Sequence, residues 1–203
     1  MPAPSAVPVV AVLAGGRAER IGGNKPTTQL AGRPLIAYPL EAAREAGLEA
    51  IVVAKPETVL PRLQQRVVYD REQLHHPLSG VLAALRESDA VIALACDMPF
   101  VPAAMLRWIA EQGAAAVVTR SGDFLQPFPA LYRRRHILSL EASMLAQRSL
   151  RASIEQLPAQ IADDREMSAF GAHGRLFFSV NTAADLQTAE SWLQTGKTLQ
   201  LAG

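Results

Sequence analysis

The sequence predicts an α/β domain built on a mostly parallel sheet, and three observations lead there. Short apolar runs alternate with segments of helical spacing, so that strand, loop, helix and strand follow one another between Val10 and Ala54. The run Ala90-Val91-Ile92-Ala93-Leu94-Ala95 is apolar without a break, as expected of a central parallel strand buried on both faces. The length of 203 residues holds one such domain with a full core and is short for two.

The first strand is Val10-Ala11-Val12-Leu13, preceded by a loose leader. A connection that turns at Gly32 leads into a helix from about Leu35 to Ala46, closed by Gly47 at its C-terminal end, with Pro39 tolerated near the first turn. Ala50 to Ala54 forms the second strand, Thr58 to Gln65 a short helix, and Arg66 to Tyr69 a third strand ending at Asp70. Pro77 near the first helical position opens an apolar helix. The central strand Ala90–Ala95 follows, then a helix from Ala103 to Gln112 and a strand from Ala115 to Thr119. Two prolines, Pro127 and Pro129, demote the segment Gln126–Arg133 to an irregular or edge strand. A helix from Ile137 to Ala146 and a shorter one through Leu157 come next. The chain closes with a strand beginning at Arg175 and a helix capped by Thr182 with Asp185 three residues on.

Hydrophobic content of 49%, charged content of 19% and a net charge of +1 describe an ordinary soluble globular protein. Nucleic acid is not an expected partner, because the basic excess is slight and aromatics are 5% of residues. A single cysteine, Cys96, excludes an intramolecular disulfide and fits a reducing compartment. The first residues lack the positive region of a signal peptide, and no stretch reaches the ~18 apolar residues of a spanning helix, so a cytoplasmic protein without a membrane partner is expected. His75 and His76 are adjacent and without Cys or His partners at ligand spacing, which argues against zinc.

The chemistry is concentrated where the first strand ends, in Gly15-Gly16-Arg17-Ala18-Glu19-Arg20-Ile21-Gly22-Gly23-Asn24-Lys25. Glycines let backbone N–H groups approach an anion, and Arg17, Arg20 and Lys25 supply the charge a polyphosphate needs. Walker A is excluded, since Lys25 stands between Asn24 and Pro26, and the dinucleotide spacing G-x-G-x-x-G is missing. The second feature is Cys96-Asp97-Met98-Pro99. An Asp at the carboxyl end of a central strand lies where open α/β sheets bind ligands, and one such carboxylate holds Mg²⁺ when a nucleoside triphosphate supplies further oxygens. Cys96 beside it has no Cys–His pairing and reads as a packed thiol.

Leu13-Ala14-Gly15-Gly16 with Arg17, Arg20, Gly22 and Lys25 resembles the Leu-Ala-Gly-Gly-x-x-x-Arg-Met-Gly-x-x-Lys signature of nucleotidyltransferases of the molybdenum-cofactor guanylyltransferase type, with Ile21 in place of Met. Pro77-Leu78-Ser79-Gly80 resembles their Gly-Pro-Leu-Ala-Gly element, with His76 in place of the first Gly. Cys96-Asp97-Met98-Pro99 matches their metal motif, and Ser179-Val180-Asn181-Thr182 their closing Asn-x-Asn-Thr, with Ser179 for the first Asn. Ala54-Lys55-Pro56 stands where an Asn often follows the second strand. The resemblance runs from Leu13 to Leu186 and implies a three-layer, Rossmann-like nucleotide-diphosphosugar transferase fold over residues 1–203, with a nucleotide half at about 8–120 and an acceptor half at about 121–203.

It further implies transfer of GMP from GTP to the terminal phosphate of molybdopterin or Mo-molybdopterin, with Mg²⁺ as cofactor. Lys25, Arg17 and Asp97 are then the catalytic candidates, with Asp97 as metal ligand. Leu13, Ala14, Gly15, Gly16, Arg17, Arg20, Lys25, Asp70, Pro77, Leu78, Ser79, Gly80 and Asp97 are the nucleotide candidates, although Asp70 also reads as a surface carboxylate. Arg148, Arg151 and Asn181 are candidates on the acceptor side, and molybdoenzymes or their chaperones are candidate partners. Two alternatives stay open: a cytidylyl or uridylyl transferase acting on molybdopterin or a sugar phosphate, and a non-catalytic nucleotide-binding module for molybdoenzyme maturation.

Overall fold

A computed structural model describes residues 6–15, 24–74, 76–113 and 116–201 of the chain. The first strand, β1 (Val9–Leu13), is buried along its middle because each of its faces meets a helical layer. A small hairpin, β2 (Gln29–Leu30) and β3 (Arg33–Pro34), turns through Ala31 and Gly32, both at positive φ. Helix α1 (Ala37–Glu45) ends at Gly47, whose φ of +73° favours a residue without Cβ. Then come β4 (Ala50–Ala54), β5 (Arg66–Tyr69), α2 (Pro77–Glu87), β6 (Ala90–Ala95) and α3 (Ala103–Glu111). The second part contributes β7 (Val117–Ser121), β8 (Phe124–Arg133), α4 (Ile137–Leu145), α5 (Leu150–Ile154), β9 (Gln160–Ala162), α6 (Asp164–Ser168), α7 (His173–Leu176) and α8 (Ala183–Leu201).

The main sheet has seven strands in the order β5-β4-β1-β6-β8-β7-β9. Strands β5, β4, β1 and β6 are parallel, β8 runs antiparallel to both its neighbours, and β9 is parallel to β7. The expected mostly parallel sheet is therefore present, with β8 as its reversed strand. Alternate residues of each strand face opposite layers. Val10, Val12, Val52, Ile92 and Leu94 pack with Leu40 and Ala43 of α1 and Met105, Leu106 and Ile109 of α3. Ala11, Ile51, Val53, Val91 and Ala93 pack with α2, α4 and α5. Because α1 and α2 cover opposite faces, the sheet changes its winding direction between β1 and β6, and a crevice opens beyond their carboxyl ends. Among the described residues no helix is long and apolar enough to cross a membrane.

Three expectations are corrected. Residues 58–65 form no helix; Pro61 removes an N–H in the middle of that stretch, and Leu60 and Leu63 pack against the core from an irregular segment. Strand β8 is interior rather than at an edge. Its prolines fall where the β7–β8 register jumps, between the pairs Val118↔Ala130 and Thr119↔Gln126, so Pro127 and Pro129 owe no ladder hydrogen bond. That irregularity was expected, and the Tyr132 hydroxyl closes it by donating to the Pro127 carbonyl at 3.0 Å. Third, the segment after Arg175 is not a strand. One helical turn ends at Leu176, and Phe178 then packs edge-on against Trp192 at 4.8 Å between ring centroids, a tertiary contact that outweighs local β preference.

The predicted cap of α8 is present. Asp185 N–H donates to Thr182 Oγ1 at 3.1 Å, and Asp185 Oδ2 accepts from the N–H groups of Asn181 and Thr182 at 2.9 and 2.8 Å. These bonds, led by the one from Asn181, hold the Asp185 carboxyl below its ordinary range. A depressed carboxyl stabilises the fold above the unfolded-state value of roughly 4 and loses that contribution as pH falls through its lower folded value. Asp185→Ala is expected to lower stability by about 1 kcal/mol at neutral pH, with the difference from the native chain closing below about pH 4 in thermal melts.

Candidate active site

The crevice holds a cavity of about 300 Å³ whose walls come from the carboxyl ends of β1, β4, β5 and β6 and from the start of α2. The parallel ladder continues into its floor. Ala14 N–H donates to Val53 O at 2.7 Å, Cys96 N–H to Leu13 O at 3.1 Å, and Asp70 N–H to Ala54 O at 2.9 Å. Each strand therefore delivers its next residue to the same rim.

At one end of the cavity lies Lys25. It sits on a single 3-10 turn, Lys25–Thr27, whose Pro26 is buried and whose preceding Asn24 donates to Thr27 Oγ1 and to the Val59 carbonyl, both at 2.9 Å. From that base Lys25 Nζ reaches Asp97 Oδ2 at 2.6 Å and Asn181 Oδ1 at 2.6 Å. Asp97 is 9% exposed, and its carbonyl accepts from Val180 N–H at 2.9 Å, which fixes the segment carrying Asn181 to the end of β6. Residues 72 and 156 positions from Lys25 thus converge on one ammonium. The two oxygens form a cation seat, and Asp97 Oδ1 has no partner among the described residues. One carboxylate, one amide oxygen and adjoining space suit a hard divalent ion that takes its remaining ligands from phosphate and water.

At the other end, Ser79 Oγ donates to Asp70 Oδ2 at 2.6 Å and Lys55 Nζ stands 3.0 Å from the same oxygen. Between the two ends the wall is apolar, with Leu13, Val53, Gly80 and Phe128. Gly80 brings α2 close to this wall, since a Cβ there would meet Leu13 Cδ2 at 3.3 Å and Val53 Cγ1 at 3.7 Å. Gly80→Ala adds about 1 kcal/mol of helix preference while pushing the flexible Leu13 side chain toward the cavity. The expected result is a melting temperature equal to or above that of the native chain together with a several-fold rise in nucleotide KM, read by calorimetry and steady-state kinetics.

The remaining predicted residues distribute as follows. Gly15 lines the cavity, and a Cβ there would stand 3.5 Å from Lys55 Cγ, an ordinary contact distance. Gly16, Arg17 and Arg20 lie outside the described residues. Ala14 and Leu78 are buried, Leu78 in the core between α2 and the sheet, so their side chains do not line the cavity. Pro77 borders it at the start of α2. Arg148 and Arg151 are not among the lining residues: Arg151 stacks over Phe124 at 4.4 Å, and the Arg148 carbonyl lies 2.7 Å from Nε2 of His76, which does line the cavity. Asn181 belongs to the Lys25–Asp97 cluster rather than to those arginines.

His76, which stands where the resembled element begins with Gly, has an extended backbone at φ −130° and ψ 138°. Its Nδ1 accepts from Leu78 N–H at 3.1 Å, so it caps α2. Lys55 and Phe128 were not among the predicted site residues. Lys55 carried a usable signal, being the residue immediately after a buried parallel strand. Phe128 carried none, since the β8 irregularity alone aims it at the cavity. Cys96 also borders the cavity, but burial and the adjacent Asp97 charge push its thiol far above the ordinary range, so it remains protonated.

The chain is similar to known proteins. The family model described as the MobA-like NTP transferase domain matches residues 10–161. A probable molybdenum cofactor guanylyltransferase of Pelotomaculum thermopropionicum is 31% identical, covering 92% of this chain and 94% of its own. A molybdenum cofactor guanylyltransferase of Pseudomonas putida is 31% identical over 85% of this chain and 98% of its own. The crystal structure of molybdopterin-guanine dinucleotide biosynthesis protein A from Archaeoglobus fulgidus superimposes with a TM-score of 0.79 at 26% identity, over 92% of this chain and 99% of that one. With the strand-end rim, the Lys25–Asp97 pair and this match over three quarters of its length, the chain belongs to the MobA-like NTP transferase family of nucleotidyltransferases.

Proposed function

We propose that this chain is a molybdenum cofactor guanylyltransferase, which joins GMP from GTP to the terminal phosphate of molybdopterin or its molybdenum-bearing form. The observation that carries this reading is the two-ended cavity, with an ammonium–carboxylate cluster at one end, donors and a carboxylate at the other, and apolar walls between. Adjacent strands lie about 4.8 Å apart, so three strand steps from β5 to β6 separate the ends by roughly 14 Å, a length suited to a nucleotide lying with its base by Asp70 and its phosphates by Lys25.

In the reaction, an ionised acceptor phosphate oxygen forms a bond to the α-phosphorus of GTP while the bond from that phosphorus to the bridging oxygen of pyrophosphate breaks. The acceptor needs no deprotonation, so the site requires positioned charge rather than a general base. Lys25 holds the α-phosphate, and Gly15 with Gly16, Arg17 and Arg20 receive the β- and γ-phosphates. Asp97, with Asn181 beside it, would hold Mg²⁺, which when bound neutralises charge on the phosphate oxygens and on departing pyrophosphate. Arg148 and Arg151 lie on the acceptor half, and molybdoenzymes or their chaperones would receive the product.

The test is pyrophosphate release with each of the four ribonucleoside triphosphates, Mg²⁺ and molybdopterin. Release with GTP supports the assignment, and release with CTP instead would move the chain to a cytidylyl activity. Absence of release with all four would favour a binding module.

A further inference from the structure

The end of the cavity remote from Lys25 carries a charge pair that phosphoryl chemistry does not use. Lys55 and Asp70 are 9% and 5% exposed, and Lys55 Nζ is 3.0 Å from Asp70 Oδ2. A pair this buried loses much of its attraction to desolvation and is no more stabilising than apolar packing, so fold stability alone does not account for it on a ligand wall. Both groups are held rigidly. Asp70 Oδ2 also accepts from Ser79 Oγ at 2.6 Å, and Oδ1 accepts from Glu72 N–H at 3.0 Å. Lys55 Nζ donates to the Glu72 carbonyl at 2.6 Å.

An ammonium has three protons. Two of those on Lys55 are directed at Asp70 and Glu72, and the third has no acceptor among the described residues, while Lys55 itself borders the cavity. The Asp70 carboxylate has lone-pair capacity beyond the three donors it meets. A flat base lying against Leu13, Val53 and Phe128 would therefore meet a fixed cationic donor beside a fixed anionic acceptor.

We propose that Lys55 is a specificity-determining residue: its remaining N–H donates to the 6-oxo group of a purine, while the neighbouring Asp70 accepts from the ring N–H and 2-amino group. The inference rests on the nucleotidyl-transfer reading above. Of the four bases, guanine alone offers an acceptor followed by two donors along one edge. Adenine places an amino donor against the ammonium, uracil turns a second keto oxygen toward the carboxylate, and cytosine sets its amino donor against the ammonium and two acceptors against the carboxylate. Mispairing at a buried polar site is costly because the protein's own groups are left unpaired.

The experiment is isothermal calorimetry on the full chain with GTP and with 2-aminopurine riboside triphosphate, which keeps the 2-amino group and lacks the 6-oxo group. Lys55→Met is expected to weaken GTP binding about 10- to 100-fold and to change binding of the analogue by less than about 3-fold, so that the preference falls by about that factor and keeps only the part that Asp70 reads through the ring N–H, which the analogue also lacks. Lys55→Arg, which retains charge and donors, restores most of the preference. Should Lys55→Met be too unstable, the same ratio is read between Asp70→Asn and Asp70→Asn/Lys55→Met, where no carboxylate is left unpaired. Equal weakening of both nucleotides in folded protein would overturn the proposal and make the pair structural or ribose-directed. Failure of the native chain to release pyrophosphate would instead remove the transfer reading, while the calorimetric ratio would still decide the role of Lys55.

Discussion

Asp97→Asn lowers pyrophosphate release at least about 100-fold, equivalent to roughly 3 kcal/mol in the barrier, and shifts the melting temperature by only a few degrees. The two effects separate because Asp97 is tied into the fold by its main chain and serves the site with its side chain. Its carbonyl still accepts from Val180 N–H in the variant, and Asn has nearly the same volume, so the end of β6 keeps its packing. What disappears is the negative charge that faces Lys25 Nζ at 2.6 Å. Breaking a fully buried pair costs about 3–5 kcal/mol of stability, but Lys25 keeps Asn181 as an acceptor and borders an open cavity, so the smaller cost is expected. Divalent-ion binding weakens in parallel, which Mn²⁺ titration followed by electron paramagnetic resonance measures. A variant with native turnover and native Mn²⁺ affinity would remove Asp97 from the mechanism.

The sheet was legible in the sequence because its strands are buried on both faces. Runs such as Val10–Leu13, Ala50–Ala54 and Ala90–Ala95 have no other way to satisfy their side chains than a sheet covered by helices, and all three form adjacent parallel strands. Asp97 and Lys25 were legible for a related reason: a charged residue directly after such a run, or in a glycine-rich loop following it, lies at the ligand-binding rim. Residues whose placement depends on distant contacts were not. Phe177 and Phe178 carry β preference, yet Trp192 on α8 and Phe100 after β6 draw Phe178 into a separate aromatic cluster. The prolines of β8 pointed to an irregular or edge strand, and the first alternative is the one found, a local jump in register that lets them sit inside the sheet. Lys55 had the same signal in its place after β4, but a lysine there is usually solvated, and the structure adds Asp70 and Ser79 arriving from β5 and α2 to enclose its head.

Lys25→Met is expected to lower turnover by roughly 100-fold as well, but to move divalent-ion affinity the opposite way. The Lys25 ammonium occupies the point where Asp97 Oδ2 and Asn181 Oδ1 converge, 2.6 Å from each. A divalent ion approaching those oxygens must displace that ammonium and meets its repulsion. Methionine fills similar space without charge, so Mn²⁺ in the absence of nucleotide should bind several-fold more tightly than to the native chain. In the proposed reaction the lysine leaves the carboxylate for a phosphate oxygen of the nucleotide. The variant therefore loses transition-state stabilisation while gaining affinity for the ion. Asp97→Asn loses both, so the pair of variants distinguishes a lysine that contacts phosphate from one that merely neutralises Asp97. In the latter case Lys25→Met would retain near-native turnover once Mn²⁺ or Mg²⁺ is saturating. A persistent loss of about 100-fold at saturating metal and GTP places the lysine on the reacting phosphate.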